Sequence, residues 1–446
     1  MFTIINIFLF IIGVILYLKK PVLAPVYYLL WCSFFVFLID IIFPLQENRE
    51  TSTFNTFSIL YMFFCGFLHV TRNLQYFWKY DLAPLLLSLL LIAYLVFLTF
   101  YRGNGTRFFY FFILWFTFIP IWLILRTEEV DWEKYEKFLR YALIIELVLG
   151  LSQYLFGLGY SSYVEAYAEN GAENIAGTFK RYNVFADNIS LLILSTLAIR
   201  LVKEVRIPIW DYVLMAVGFV LVFYSGARTE LAALSLAIIL LFFARYRHSF
   251  KALAVLSVLF VIVGAKVVQG SGEDIKRSDI ESNEQRQFQA INAIGDSENV
   301  YLEEQSTFAL SILLWNEYIE SSDSYLLGPG KLFENQFGYL GLVCEDGAMY
   351  DSFLALFLCE TGLIGVVLLI LIIFTMIRPC QRPLFALSIL VYLLLVSLTD
   401  FGLFQGNSAI FLFFCIGYVN KFEEERSISE TEEDYALEAE LTKNIE

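Results

Sequence analysis

Long apolar stretches broken by short polar interruptions make up most of this chain. A membrane-spanning helix needs about 20 mostly apolar residues, with a usual range of roughly 17–25. Stretches of that kind fall at approximately 2 to 18, 22 to 44, 54 to 70, 82 to 100, 108 to 125, 141 to 158, 183 to 201, 211 to 225, 230 to 244, 252 to 268, 353 to 377, 384 to 399 and 408 to 420. The pattern predicts an all-α polytopic membrane protein with about 12–14 transmembrane helices. The first run is followed by Lys19 and Lys20, and neither a charged leader nor a small-residue cleavage site accompanies it. It is expected to stay as a membrane helix and not to be removed as a signal peptide.

Composition supports the same class. Of 446 residues, 59% are hydrophobic and 17% charged, whereas soluble domains carry about 45–50% apolar and about 25% charged residues. A soluble globular domain is excluded. Five of the six cysteines lie in or beside apolar runs and Cys344 alone falls in a long polar stretch, so no disulfide pair is evident.

Positive residues in short loops stay on the cytoplasmic side. Loops after odd-numbered runs hold 16 Lys and Arg, among them Lys19, Arg126, Arg140, Arg200, Lys203 and Arg382, against 6 in the short loops after even-numbered runs. The N-terminus and the long polar segment 267–351 are therefore expected outside and the C-terminus inside. The chain divides into a transmembrane domain, residues 1–422, which includes that external loop, and an acidic cytoplasmic tail, 423–446, whose composition predicts disorder.

The formal charge of −15 resolves by segment. The tail holds 10 acidic and 2 basic residues, and 267–351 holds 16 acidic and 4 basic, which leaves a mildly basic membrane body between two acidic appendages. A negative external loop would repel a polyanionic ligand there.

Three stretches of unusual polar content all map to the external side. The first is Ala176-Gly177-Thr178-Phe179-Lys180-Arg181-Tyr182-Asn183-Val184-Phe185-Ala186-Asp187-Asn188, where polar groups enter an otherwise apolar helix. Such groups line a cavity or find partners; the lesser alternative is a helix entry capped by Asn, with cations reaching to the interface. The second is Tyr224-Ser225-Gly226-Ala227-Arg228-Thr229-Glu230. Arg228 needs an anion beside it, either Glu230 or a phosphate group, which a guanidinium fork suits. The third contains Trp315-Asn316-Glu317-Tyr318-Ile319, Ser324-Tyr325-Leu326-Leu327-Gly328-Pro329-Gly330 and Glu345-Asp346-Gly347-Ala348-Met349-Tyr350-Asp351-Ser352-Phe353-Leu354. Apolar spacing over 308–321 predicts a short amphipathic helix. Glu360-Thr361-Gly362-Leu363-Ile364-Gly365 follows inside the next apolar run.

Over roughly residues 175 to 375 these pieces resemble, in order, the O-antigen polymerase and ligase superfamily of Wzy-like bacterial envelope glycan polymerases. The carrying residues are Gly177-Thr178-Phe179 with Asn183-Val184-Phe185-Ala186, Ser225-Gly226-Ala227-Arg228-Thr229, Trp315 with Leu327-Gly328-Pro329-Gly330, and Asp351-Ser352-Phe353-Leu354 with Glu360-Thr361-Gly362-Leu363-Ile364-Gly365. Two positions depart from the family pattern. Glu173 stands where relatives often have an Arg, and Asp351 stands where ligases begin the last motif with His; the two histidines, His69 and His248, map to the cytoplasmic side. This favours a polymerase over a ligase that delivers glycan to lipid A-core.

The resemblance implies a GT-C-like glycosyltransferase architecture in the bacterial cytoplasmic membrane, with its active site facing the periplasm or exterior. The reaction it implies transfers glycan from a polyprenyl diphosphate, such as undecaprenyl diphosphate, to a sugar hydroxyl, in making O-antigen, capsule or exopolysaccharide. Arg228, Lys180 and Arg181 would hold the diphosphate, and Asp351 would be the general base. Asp351 equally suits a helix N-cap. Asn183, Asp187, Glu345, Asp346 and Glu360 are secondary candidates. No metal or cofactor is expected, and no nucleic-acid signature is present. Expected partners are the lipid-linked glycans, membrane lipid, a flippase and a chain-length regulator. A transporter or flippase of lipid-linked sugars is the competing class, but charges at the membrane midplane are few, Asp40 and Glu146 being the clearest.

Overall fold

The computed structural model describes residues 2–42, 49–102, 116–156, 175–179, 182–203, 207–225, 227–245, 325–328, 353–397 and 408–443. The helices are α1 (Phe2–Lys19), α2 (Leu23–Leu30), α3 (Val36–Ile42), α4 (Arg49–Arg72), α5 (Leu74–Tyr80), α6 (Leu82–Arg102), α7 (Phe118–Thr127), α8 (Trp132–Phe156), α9 (Tyr182–Val202), α10 (Ile209–Tyr224), α11 (Arg228–Arg245), α12 (Phe353–Ile377), α13 (Pro383–Val396) and α14 (Ser408–Lys443). Among the described residues there is no strand, and the fold is all-α. Five helices or helical stretches are long and apolar enough to cross a membrane: Phe2–Lys19, Leu82–Tyr101, Trp132–Phe156, Asn183–Val202 and Glu360–Ile377. Shorter apolar helices accompany them, and the protein is membrane-embedded. The run expected at 252 to 268 and the amphipathic segment 308–321 lie outside the described residues, as does most of 267–351.

Several expected runs differ in detail. The stretch 22 to 44 is not one regular helix, because a π-helical turn, Trp31–Phe35, joins α2 to α3. α8 begins at Trp132, ahead of the apolar run that starts near 141, because its polar first turns find ionic partners in the fold. α14 does not stop near Asn420: it runs on as helix through the acidic stretch to Lys443. Disorder was the expectation there, but Glu, Ala, Leu and Lys are strong helix formers, and helix propensity outweighs the low hydrophobicity.

α9 is the centre of the bundle and packs against α8, α10, α11, α13 and α14. Some 83% of its spanning stretch is buried, against 17% for α1. A helix that is apolar all round is stable only when surrounded by others, which is the position of α9. α1 and α6 leave Ile4, Phe8, Leu86, Phe97 and Phe100 exposed, side chains that suit lipid. The two ends of the bundle are fixed by side-chain contacts. At one end Ser408 of α14 meets Asp187 of α9, and at the other Lys203 stands over the Tyr418 ring, so α9 and α14 run parallel.

That second end is ion-paired. Asp211, only 1% exposed, receives Arg140 on one oxygen at 2.8 Å and Arg200 on the other at 3.0 Å. Glu136 receives Arg200 and Lys203, both at 2.8 Å. Arg126 pairs with Asp81, and Arg382 with Glu423 at 2.5 Å. Asp131 accepts the backbone N–H of Lys134 at 3.2 Å and so caps α8. The hydrogen-bonded Lys134 ammonium holds the Asp131 carboxyl below its ordinary pKa.

Candidate functional site

The opposite end collects the described parts of the polar stretches that the sequence singled out. α8 presents Glu146 and Gln153 seven residues apart, about two helical turns, on one face. Together they bind the segment that leads toward α9. Gln153 accepts the backbone N–H groups of Ala176 and Gly177 through one amide oxygen, both at 2.8 Å, and donates to the Gly177 carbonyl at 3.1 Å. Glu146 accepts the Thr178 backbone N–H at 3.0 Å and, on its other oxygen, the Thr178 hydroxyl. Gly177 has φ of +55°, and a Cβ there would stand 2.3 Å from Glu146 Oε2, so both backbone conformation and space require glycine. A carboxylate inside an apolar helix is costly unless it is hydrogen-bonded. Glu146 is therefore a structural anchor for the Gly177-Thr178 element and not a free charge at the midplane.

α9 carries Asn183, Asp187 and Asn188 within its first two turns. Asn183 Oδ1 accepts the Val184 N–H at 3.0 Å, and Asn188 donates back to the Val184 carbonyl at 2.8 Å. Asp187 is fully buried, and its Oδ2 accepts the Ser408 hydroxyl at 2.5 Å. The Tyr392 hydroxyl lies 3.5 Å from the Asp187 carbonyl, a long contact that places α13 beside the same turn. Arg228 opens α11, which packs against α9 and α13, and Glu230 in its first turn is buried. The Arg228 side chain lies outside the described positions.

α12 is broken at Gly362, where φ is +64° and ψ is −168°. The first amides of the second half have no acceptor in their own helix. A turn from far upstream supplies two: Leu363 N–H donates to the Tyr325 carbonyl at 3.0 Å and Ile364 N–H to the Leu326 carbonyl at 3.2 Å. The Tyr94 hydroxyl of α6 donates to the Thr361 carbonyl at 2.6 Å. Thr361 and Glu360 are fully buried at this break. Leu354, at the start of α12, donates to the Ser397 carbonyl at 3.2 Å at the end of α13. Irregular backbone inside a membrane bundle is tolerated only where protein or a water-filled cavity satisfies it, and here the Tyr325–Gly328 turn and Tyr94 do so.

Asn183, Asp187 and Glu360 are thus placed by the helices that form this end. Lys180, Arg181, Glu345, Asp346 and Asp351 lie outside the described residues. The importance of Gln153 and Tyr94 is not evident in the sequence. A signal for Gln153 existed, since it and Glu146 share one face of an apolar helix; Tyr94 is one aromatic among many. Among the described residues no group of three or more His, Cys, Asp or Glu comes together as a metal-binding set.

The described part of the site is a frame of three parts: a moored Gly-Thr turn, a buried carboxylate that joins α9 to α14, and a helix break closed by a distant turn. Two amides of the broken helix are already engaged. An anion held here would have to be met by side-chain cations. Comparison with protein-family models and with curated proteins gives no match.

Proposed function

We propose that the protein is a membrane glycosyltransferase that polymerises lipid-linked oligosaccharide repeat units at the outer face of a bacterial cytoplasmic membrane. In this reading the fold is GT-C-like with about 12–14 spanning helices, and the ion-paired end of the bundle faces the cytoplasm, as its cations require. One observation carries the reading. Gly328 and Gly362 belong to two pieces of the pattern, well apart in the chain, and their backbones meet: a Cβ on Gly362 would stand 2.4 Å from the Gly328 nitrogen, and the Tyr325 and Leu326 carbonyls just ahead of Leu327-Gly328 accept the amides of Leu363 and Ile364. Pieces that are weak singly act as one structural unit, and the Gly177-Thr178 piece has its own dedicated anchor in Glu146 and Gln153.

The acceptor sugar hydroxyl attacks the anomeric carbon of the donor, the bond from that carbon to the diphosphate oxygen breaks, and the polyprenyl diphosphate leaves as an anion. Arg228, Lys180 and Arg181 stabilise that anion. Asp351 takes the hydroxyl proton, with Glu345, Asp346 and Glu360 as the fallback carboxylates for that role. A single displacement inverts the anomeric centre. The acidic external loop favours a neutral or basic repeat unit.

The test is the glycan profile of a deletion strain. Loss of a polymerase leaves single repeat units on the acceptor, loss of a ligase leaves unattached polymer, and loss of a flippase leaves neither outside. Complementation with Arg228→Ala or Asp351→Ala should fail to restore long chains; full restoration by both would overturn the assignment.

A further inference from the structure

At the ion-paired end, α8, α9 and the first turn of α10 enclose an open cleft of about 320 Å³. Its walls carry four cations, Lys137, Arg140, Arg200 and Lys203, against three carboxylates, Glu133, Glu136 and Asp211. The cations exceed the carboxylates by one, and Glu133, like Lys137, makes no ion pair among the described residues. Arg140 spends one Nη group on Asp211, and Lys137 is exposed and makes no ion pair among the described residues. A guanidinium has five N–H donors, so donors remain for a further anion. Thr196 also lines the cleft, and its hydroxyl is buried without a hydrogen-bond partner among the described residues. Such a group is costly unless something fills the space beside it.

We propose that this cleft seats a phosphate group, held by Lys137 and Arg140 and by the Thr196 hydroxyl, and supplied by an anionic phospholipid headgroup or by a soluble phosphate compound. The volume falls in the range of about 300–1,000 Å³ usual for small-ligand sites. Trp210 and Tyr212, 72% and 49% exposed on either side of Asp211, mark headgroup depth, where such aromatics concentrate. Leu139 and Ile199 give the cleft an apolar wall against which a glycerol backbone would lie. Basic pockets between helices at this depth suit anionic headgroups. The site is at the far end of α9 from Asp187 and is independent of the glycan-transfer reading.

The experiment is thermal unfolding of the detergent-purified full chain with phosphatidylglycerol, phosphatidylcholine or inorganic phosphate, with retained lipid counted by native mass spectrometry. Phosphatidylglycerol should raise Tm in a saturable way and phosphatidylcholine should not. Lys137→Gln and Thr196→Val should each weaken the apparent affinity about tenfold or more while leaving the unliganded Tm close to that of the parent. A rise with inorganic phosphate as well identifies a soluble phosphate as a sufficient ligand, and a rise with phosphatidylglycerol alone identifies the lipid. Equal stabilisation by phosphatidylcholine, or undiminished phosphatidylglycerol retention by the Lys137→Gln/Thr196→Val double variant, would overturn the proposal.

Discussion

The carbonyl oxygen of Leu326 occupies the space where a side chain at Gly362 would begin: a Cβ on Gly362 would stand 2.4 Å from it. The same turn accepts the amides of Leu363 and Ile364. Glycine is therefore required twice at this break, once for its positive φ and once for the closeness of a second backbone. Gly362→Ala should cost roughly 2–4 kcal/mol through strain and displacement of the turn. The expected result is a lowered Tm of the purified protein together with loss of long glycan chains in complemented cells. An alanine variant with parental Tm would show that the turn does not close the break.

Tyr94 reaches the same break from α6, donating to the Thr361 carbonyl at 2.6 Å. Tyr94→Phe keeps the ring and removes one donor from a buried acceptor, at a cost of about 1–3 kcal/mol. Unfolding in detergent should show a smaller loss than for Gly362→Ala. Since Thr361 belongs to both sites, the two substitutions should be non-additive in the double variant.

Thr178 is joined to Glu146 by both its hydroxyl and its backbone N–H. Thr178→Val leaves one carboxylate oxygen of a buried Glu without its donor, and the expected destabilisation is about 1–3 kcal/mol. Thr178→Ser retains the hydroxyl and should stay near parental stability. If the Gly177-Thr178 element positions the cations that follow it, Thr178→Val should also reduce polymer length where Thr178→Ser does not.

How much of this was legible in the sequence follows from what each feature depends on. Apolar length marks spanning helices, and the stretches at 183 to 201 and 211 to 225 lie within a few residues of α9 and α10. The start of α8 was not legible. Residues 132–140 read as a cationic loop until Glu136 and Arg140 are seen to meet Arg200, Lys203 and Asp211 from other helices. Nor does Gly362 betray a break, because one glycine in an apolar run is compatible with continuous helix; the break depends on a turn at Tyr325–Gly328 that local pattern cannot place. Within the candidate site, polar residues in apolar surroundings singled out Asn183, Asp187 and Glu360, and the structure places Asp187 and Glu360 in buried positions. The same signal at Glu146 pointed to a midplane charge, because the sequence does not reveal its hydrogen-bond partner, Thr178.

Asp211 ties three helices at the ion-paired end by receiving Arg140 and Arg200 on separate oxygens. Removing a buried partner leaves charges unpaired and typically costs about 3–5 kcal/mol. Arg140 is 43% exposed on its side chain and Arg200 17%, so water can take over part of the solvation, and Asp211→Ala should cost about 1–3 kcal/mol. Added salt should narrow the difference in Tm between parent and variant, since it screens the exposed Arg140 arm.

Asp187 and Ser408 test whether the buried carboxylate at the other end matters for its charge or for its place. Ser408 donates to Asp187, and Asp187 is fully buried. Asp187→Asn keeps a carbonyl oxygen that can accept from Ser408 and removes a charge whose burial is unfavourable. It should fold at least as well as the parent. Asp187→Ala removes the acceptor and leaves a cavity at the junction of α9, α13 and α14, and should lose about 2–4 kcal/mol. Polymer length then separates the roles. If Asp187 only positions α14 against α9, Asp187→Asn restores long chains in a deletion strain. If its negative charge takes part in holding or activating the acceptor, Asp187→Asn folds but leaves single repeat units. A stable, inactive Asp187→Asn alongside an active Ser408→Ala would move Asp187 from the frame of the site into its chemistry.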